Sequence, residues 1–247
     1  EPIDLSRRTL ARIFTNGSFE DGGRFYRGWW QNVPSEYRKH ITLDGKKTAE
    51  YDFSQLNPHM IYFAHHLEMG NEDAHSRVLD GEHRDIVKQA FNAMIQANTP
   101  LNLKPRDINL DGLEMDWRDL RQRILNAHKP IQHLFFDGLG NKLQFEDSCI
   151  AESVMLWFQK MDAPALLVHD SFIMHHAYGG ELEESMRRAF YERFNSDIPI
   201  KEEILEALPA LPFEEQPDNL SVEEILKGEV EYSQWQDRDR MWWANKK

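Results

Sequence analysis

Two short stretches, Tyr51-Asp52-Phe53-Ser54-Gln55 and Leu167-Val168-His169-Asp170-Ser171-Phe172, each set one aspartate at the edge of an apolar, strand-like run. They lie far apart in the chain, so only the fold can bring the two carboxylates together. If the runs pair in one sheet, neighbouring strands deliver both carboxylates to one place, which is a way to hold two divalent cations over a phosphate. Phosphoryl transfer to a hydroxyl needs charge neutralised on the attacking and leaving oxygens, and two cations about 4 Å apart do this. A lone aspartate at a strand end is more often a turn or cap residue, so the pair acquires meaning only from its surroundings.

The surroundings read as alternating strands and helices. Segments 38–43 and 48–53 flank Asp44-Gly45, a hairpin signal that ends the second strand at Asp52. Pro58 suits a first helical turn, and Met60, Ile61, Phe63, Ala64 and Leu67 carry a helix to about Glu68, stopped at Gly70-Asn71. Helical patterns recur over 82–97, 116–136, 146–161 and 181–194, and residues 2–14 read as a short basic helix. Arg24 to Trp30 is strand-like, Ala165–Val168 and Phe172–Met174 are two apolar strands, and 99–114, with Pro100, Pro105 and Gly112, reads as a long loop. The order predicts an α+β fold with an antiparallel sheet backed by helices.

With 247 residues and 40% hydrophobic content, the chain can bury a real core. The lone cysteine, Cys149, excludes an internal disulfide and suits a reducing cytoplasm, while no apolar run reaches the roughly 18 residues of a membrane span. Beginning at Glu1, the sequence reads as a processed or excised piece. A net charge of −13 argues against gripping nucleic acid by bulk attraction, but the charge is uneven. Residues 1–47 carry nine Lys/Arg against six acids, whereas 198–247 carry twelve acids against six Lys/Arg. A basic front and an acidic C-terminal extension predict local, salt-sensitive phosphate binding that draws on a partner protein.

Arg84 and Lys88 stand four apart at the start of a helical pattern, so both can meet one triphosphate. In this context Asp52-Phe53-Ser54-Gln55-Leu56 resembles motif A of family A DNA polymerases, and His169-Asp170-Ser171-Phe172 resembles motif C as found in phage-type single-subunit RNA polymerases. Arg84 and Lys88 stand at the place of motif B, Gly23-Arg24-Phe25-Tyr26 and Trp30-Gln31-Asn32-Val33-Pro34 resemble two upstream elements, and Glu146-Asp147-Ser148-Cys149-Ile150-Ala151 sits at the family's helix before motif C. The resemblance spans roughly 22–195. It implies a polymerase palm over residues 1–197 with reduced helical fingers at about 70–137, no thumb or exonuclease domain, and the acidic extension at 198–247.

The resemblance also implies residue roles. Asp52 and Asp170 would be catalytic and bind Mg2+ (or Mn2+), helped by the backbone carbonyl of Phe53. Arg84 and Lys88 would hold the nucleoside triphosphate, with Gln55, Asn57 and Gln96 around it. Arg24, or Arg27 in its place, Gln31 and His169 would contact template and primer. Asn57 replaces a glutamate that excludes the ribose 2′-hydroxyl in DNA-polymerising members, and Gln96 replaces the motif B tyrosine. With Ser171 after Asp170, these departures point to a primase-like or RNA-synthesising enzyme with relaxed sugar selection. A strict DNA polymerase of a mobile element or phage is the alternative within the class. Outside it stand a His-Asp metal phosphohydrolase, whose paired ligands lie on helices rather than strands, and a degenerate polymerase fold serving as a nucleic-acid or protein binding module. The adjacent pairs His65-His66 and His175-His176 read as structural or surface residues, since neighbours point different ways.

Overall fold

The computed structural model describes residues 5–70 and 72–203. Strands β1 (Ala11–Phe14) and β2 (Gly22–Tyr26) come first, followed by a short helix, α1 (Ser35–Arg38). Strands β3 (Thr42–Leu43) and β4 (Lys46–Phe53) precede helices α2 (Leu56–Ala64), α3 (Arg84–Gln96), α4 (Trp117–Ala127) and α5 (Gly140–Gln159). Strands β5 (Leu166–Val168) and β6 (Ser171–His175), helix α6 (Gly179–Phe194) and strand β7 (Ile200–Glu203) complete the order. The result is a mixed α+β fold with antiparallel sheets.

The central sheet runs β3-β4-β6-β5, and its longest strand, β4, has both edges occupied. β6 pairs along one edge, while β3 and β7 share the other, β3 opposite Lys46 and Lys47 and β7 opposite Glu50–Phe53. The Asp44-Gly45 turn forms as expected, with both residues at positive φ, 53° and 71°. The two-residue alternation of strands then splits the sheet into two faces. Ala49, Tyr51, Phe53, Leu167, Phe172 and Met174 join the larger core with residues of α2, α5 and α6 such as Met60, Phe158 and Phe190. Leu166, Val168 and Ile173 turn the other way and pack under Trp30, Val33 and Ile41. Thr48, Glu50 and Asp52 alternate onto that second face.

Two expectations are corrected. The described part of the expected N-terminal helix, residues 5–14, is not helical: Ala11–Phe14 form β1, paired with β2 so that Arg12 stands opposite Phe25. The Asn16-Gly17 turn, at φ 55° and 66°, folds the chain back, and Arg12 reaches the Gly23 carbonyl, Ser148 and Glu152. A helix would leave those long-range bonds unmade. The pattern at 116–136 also breaks in two, with α4 ending at Ala127 and a 3-10 helix covering Lys129–Leu134. Pro130 lacks the N–H that would continue the α-helical ladder.

Residues 99–114 contain no helix or strand, as expected, but Ile108 is buried and the Leu101 carbonyl accepts from Trp117 Nε1 and Arg121 Nη1, both at 2.7 Å. The sheet continues past residue 197 through β7, and the remainder of the acidic extension, with Trp235, Trp242 and Trp243, lies outside the described residues. No helix among the described residues is long and apolar enough to cross a membrane.

Three histidines are buried neutral. His128 is fully enclosed between the Tyr62 hydroxyl (3.0 Å) and the Ala74 carbonyl (2.9 Å). Both ring nitrogens of His59 lie buried without a hydrogen-bond partner among the described residues, and His75 is packed edge-on against Phe91. Burial pushes the pKa of each down to about 4. The unfolded chain therefore binds more protons between about pH 6.5 and pH 4, and stability present above that window is lost as pH falls through it. His59→Phe should remove one such penalty, making the protein on the order of 2 kcal/mol less acid-sensitive at pH 5. Urea denaturation at pH 7 and pH 5 measures this; an unchanged difference between the two pH values would show that His59 does not titrate on unfolding.

Candidate active site

The register of β4 against β6 sets Asp52 opposite Ser171, the residue next to Asp170. β5 and β6 are joined by only His169 and Asp170, since Val168 pairs with Ser171, and His169 takes a left-handed φ of 56° to close that turn. Two carboxylates far apart in sequence thus meet at one corner of the sheet, and both line a cleft of about 450 Å3. On its other edge Asp52 stands opposite Lys201 of β7, which lines the same cleft.

The facing wall is α3. Arg84, Lys88 and Asn92 recur every fourth residue and share the helix face turned to the cleft, while Val87, Ala90, Phe91, Met94 and Ile95 are buried behind them. Arg84 is not free: its Nε and Nη2 both approach Asp73 Oδ2, at 3.1 and 2.7 Å. Burial pushes the Asp73 carboxyl up, but the Arg84 guanidinium and the Ser76 donors more than offset it and hold it at about 2. The same pairing pushes Arg84 up. His75, two residues on, completes this end of the cleft.

A second cavity of about 350 Å3 adjoins the first and shares Asn57, Asn92 and Asp170 with it. Arg24, Gln96, Gln144 and His169 line it. At the joint, Asn57 Nδ2 donates to Asn92 Oδ1 at 3.0 Å, linking the start of α2 to α3. α3 and α5 touch closely at Gln96: a Cβ at Gly140 would stand 2.7 Å from Gln96 Cγ. Arg24 Nε donates to Asp147 Oδ2 at 2.7 Å, and Asp147 is 2% exposed. Burial pushes the Asp147 carboxyl up to about 7, against the pull of Arg24 and with the help of Asp170.

Most of the residues singled out from sequence meet here. Asp52, Phe53, Gln55, Asn57, Arg84, Lys88 and Asp170 line the first cavity, and Arg24, Asn57, Gln96, His169 and Asp170 the second. Gln55 serves the fold as well, since its Oε1 accepts from the Ala74 N–H at 2.5 Å and its φ is 56°. Two residues stand apart. Gln31 Nε2 donates to the carbonyls of Phe25 and Leu167, at 3.0 and 3.1 Å, which ties the N-terminal segment to β5. Arg27 is exposed beyond the end of β2 and lines neither cavity.

Asp73, His75, Asn92, Gln144 and Lys201 were missed from sequence, whereas Asp147 stood in the element read before the second aspartate. Asn92 alone carried a legible signal, the four-residue spacing from Arg84 and Lys88.

Among the described residues no group of three or more His, Cys, Asp or Glu is arranged to hold a metal ion by itself. Two carboxylates at the mouth of a polar cleft instead suit a hard cation that takes one or two protein oxygens and completes its shell with substrate phosphates and water. The donor set therefore fits Mg2+ bound together with a phosphorylated ligand.

No protein-family model and no curated protein matches the chain.

The Arg24–Asp147 pair makes a direct prediction. Asp147→Ala, which leaves Arg24 Nε without its acceptor, should lower stability by about 1–3 kcal/mol. Asp147→Asn keeps an acceptor for Arg24 Nε and should lose less than half as much. Equal losses in urea denaturation would show that packing, not the ion pair, sets the cost.

Proposed function

We propose that this chain is a template-directed nucleotidyltransferase, a small family A-like polymerase with primase-like or RNA-synthesising activity and relaxed sugar selection. The observation that carries the reading is the convergence of Asp52 and Asp170, from paired strands, on a cleft whose opposite wall presents Arg84 and Lys88. A two-carboxylate corner facing a cationic helix face is the arrangement that a triphosphate and its cations require.

In the proposed reaction a 3′-hydroxyl attacks the α-phosphorus of a bound nucleoside triphosphate. A new P–O bond forms, the bond to the bridging oxygen breaks, pyrophosphate leaves and the hydroxyl proton passes to solvent. Two Mg2+ ions bound at this corner would activate the hydroxyl and neutralise the leaving oxygen. Asp52, Asp170 and the Phe53 carbonyl would hold them. Lys88 meets the triphosphate as a mobile point charge, whereas Arg84 meets it as a fork already oriented by Asp73. His75, held neutral by burial, adds an N–H or a lone pair at the same end. The second cavity, with Arg24, His169 and Gln96, is the place for the primer end and the templating base.

Asn57 supports the sugar reading. It is short, and its amide is engaged with Asn92 rather than projecting as a carboxylate into the joint between the cavities.

The test offers a primed and an unprimed template with Mg2+ and labelled ribo- and deoxyribonucleoside triphosphates. Wild-type protein should incorporate both sugars. Asp52→Ala and Asp170→Ala should each lower incorporation at least about a hundredfold. Lys88→Ala should act chiefly through a KM about tenfold higher, the loss of one charge-assisted contact. Metal-independent product, or activity that survives Asp170→Ala, sinks the enzyme reading; strict use of deoxyribonucleotides sinks the sugar reading alone.

A further inference from the structure

The reaction proposed above leaves one buried carboxylate on the catalytic strand without a task. Glu50 stands two residues before Asp52 on the same face of β4 and is 2% exposed. On that side of the sheet Trp30, Val33, Ile41, Leu166, Val168 and Ile173 form a small apolar core. A buried ion pair at such a place is commonly no more stable than well-packed apolar side chains. Stability alone therefore does not account for a charge here.

Its contacts suggest what does. Arg38 Nε donates to Glu50 Oε2 at 2.9 Å, with the arginine side chain 17% exposed. Ser171 Oγ donates to Glu50 Oε1 at 2.6 Å. Glu50 stands opposite Ile173 in the ladder, so its carboxylate reaches diagonally along β6 to the residue that follows Asp170. Ser171 Oγ also lies 3.0 Å from the Val168 carbonyl at the other foot of the turn. The hydroxyl thus spans the two-residue turn that presents Asp170, and that turn contains a non-glycine residue, His169, held at φ 56°. A left-handed residue persists where its surroundings over-determine it, and Glu50, anchored by Arg38, supplies that restraint from the strand that carries Asp52.

We infer that Glu50 is a positioning residue: through Ser171 it fixes the turn bearing Asp170 against the strand bearing Asp52, so that the two carboxylates form one divalent-cation site. The inference rests on the proposed metal site. Two ligands from different strands must be held to within about 0.5 Å to share a cation pair, and Arg38–Glu50–Ser171 is a side-chain link between the two strands at this corner. The chain runs from an exposed-side arginine through a buried carboxylate to a hydroxyl, and each oxygen of the carboxylate has its own donor.

The test reads cation binding without turnover, by titrating the full chain with Mn2+ and following free Mn2+ by electron paramagnetic resonance. Asp170→Asn sets the effect of losing a ligand. Ser171→Ala and Glu50→Gln should each weaken Mn2+ binding about tenfold, while Ser171→Thr, which restores the hydroxyl, should stay within twofold of wild type. Ile41→Val, a truncation in the same small core, should lower the thermal midpoint yet leave Mn2+ affinity unchanged. The inference is overturned if Ser171→Ala binds Mn2+ as wild type does, or if Ile41→Val weakens binding as much as Ser171→Ala. Mn2+ binding that is insensitive to Asp170→Asn overturns the metal site itself, a different result from a normal response to Asp170→Asn with none to Ser171→Ala.

Discussion

The cleft depends on the hydrogen-bond ladder between β4 and β6. Its register is held over five residue pairs, Thr48 with His175 through Asp52 with Ser171. A slip of one residue would send Ala49, Tyr51 and Phe53 out of the larger core and turn Asp52 into it. The apolar pattern therefore protects the position of the carboxylate: burying one set of side chains fixes where the alternate set must point. The turn joining β5 to β6 does the rest, because two residues leave no slack between Val168 and Ser171 and set Asp170 beside the end of β4.

Charge at this corner is balanced by pairing rather than by excess base. Glu50, Asp73 and Asp147 each have an arginine partner, Arg38, Arg84 and Arg24, at 2.9, 2.7 and 2.7 Å. Arginine suits this role because its planar fork keeps its charge and its geometry when partly buried. The net charge of −13 is thus compatible with a cleft that receives an anion, since its two lysines, Lys88 and Lys201, stand at the wall opposite the carboxylates and on the neighbouring strand. In the proposed reaction a triphosphate would meet Arg84 already oriented by Asp73 and compete with one carboxylate for it. Several phosphate oxygens and their higher charge favour the ligand in that competition.

The legible part of the fold was the part encoded locally. The Asp44-Gly45 turn, the strand ending near Asp52, the α3 pattern from Arg84 and the pair of apolar strands around His169-Asp170-Ser171 all follow from short-range chemistry. Together they put the two aspartates in one cleft, although the structure begins β6 one residue earlier, at Ser171. What failed depended on distant partners. Leu5, Leu10, Ile13 and Phe14 suggest a helix until β2 offers a ladder to Ala11–Phe14 and α5 offers Ser148 and Glu152 to Arg12. Lys201 looked like one more residue of an acidic extension, because nothing nearby in sequence reveals that Ile200–Glu203 closes the open edge of β4. Gln31, read as a nucleic-acid contact, also ties the fold, since its amide donates to two backbone carbonyls. Side chains that serve the fold and side chains that serve a ligand share one alphabet, and only their partners separate them.

The two cavities meet at three residues, Asn57, Asn92 and Asp170. Asp170 is fixed by the turn between β5 and β6, Asn57 by the first turn of α2 directly after the Asp52 strand, and Asn92 by the third turn of α3. Occupants of the two cavities can therefore touch only across a carboxylate and an amide pair. The carboxylate responds to cations, and the amides respond to groups that both donate and accept hydrogen bonds. Neither asparagine has the bulk of a longer acid or an aromatic ring, so in the proposed function these two residues would select by hydrogen bonding and not by steric exclusion. A hydroxyl matches this half-buried amide pair better than a methylene does, because each amide keeps donor or acceptor capacity beyond the Asn57–Asn92 bond. Under the proposed function, the geometry of the joint, more than any single residue in it, would make an extra sugar hydroxyl tolerable.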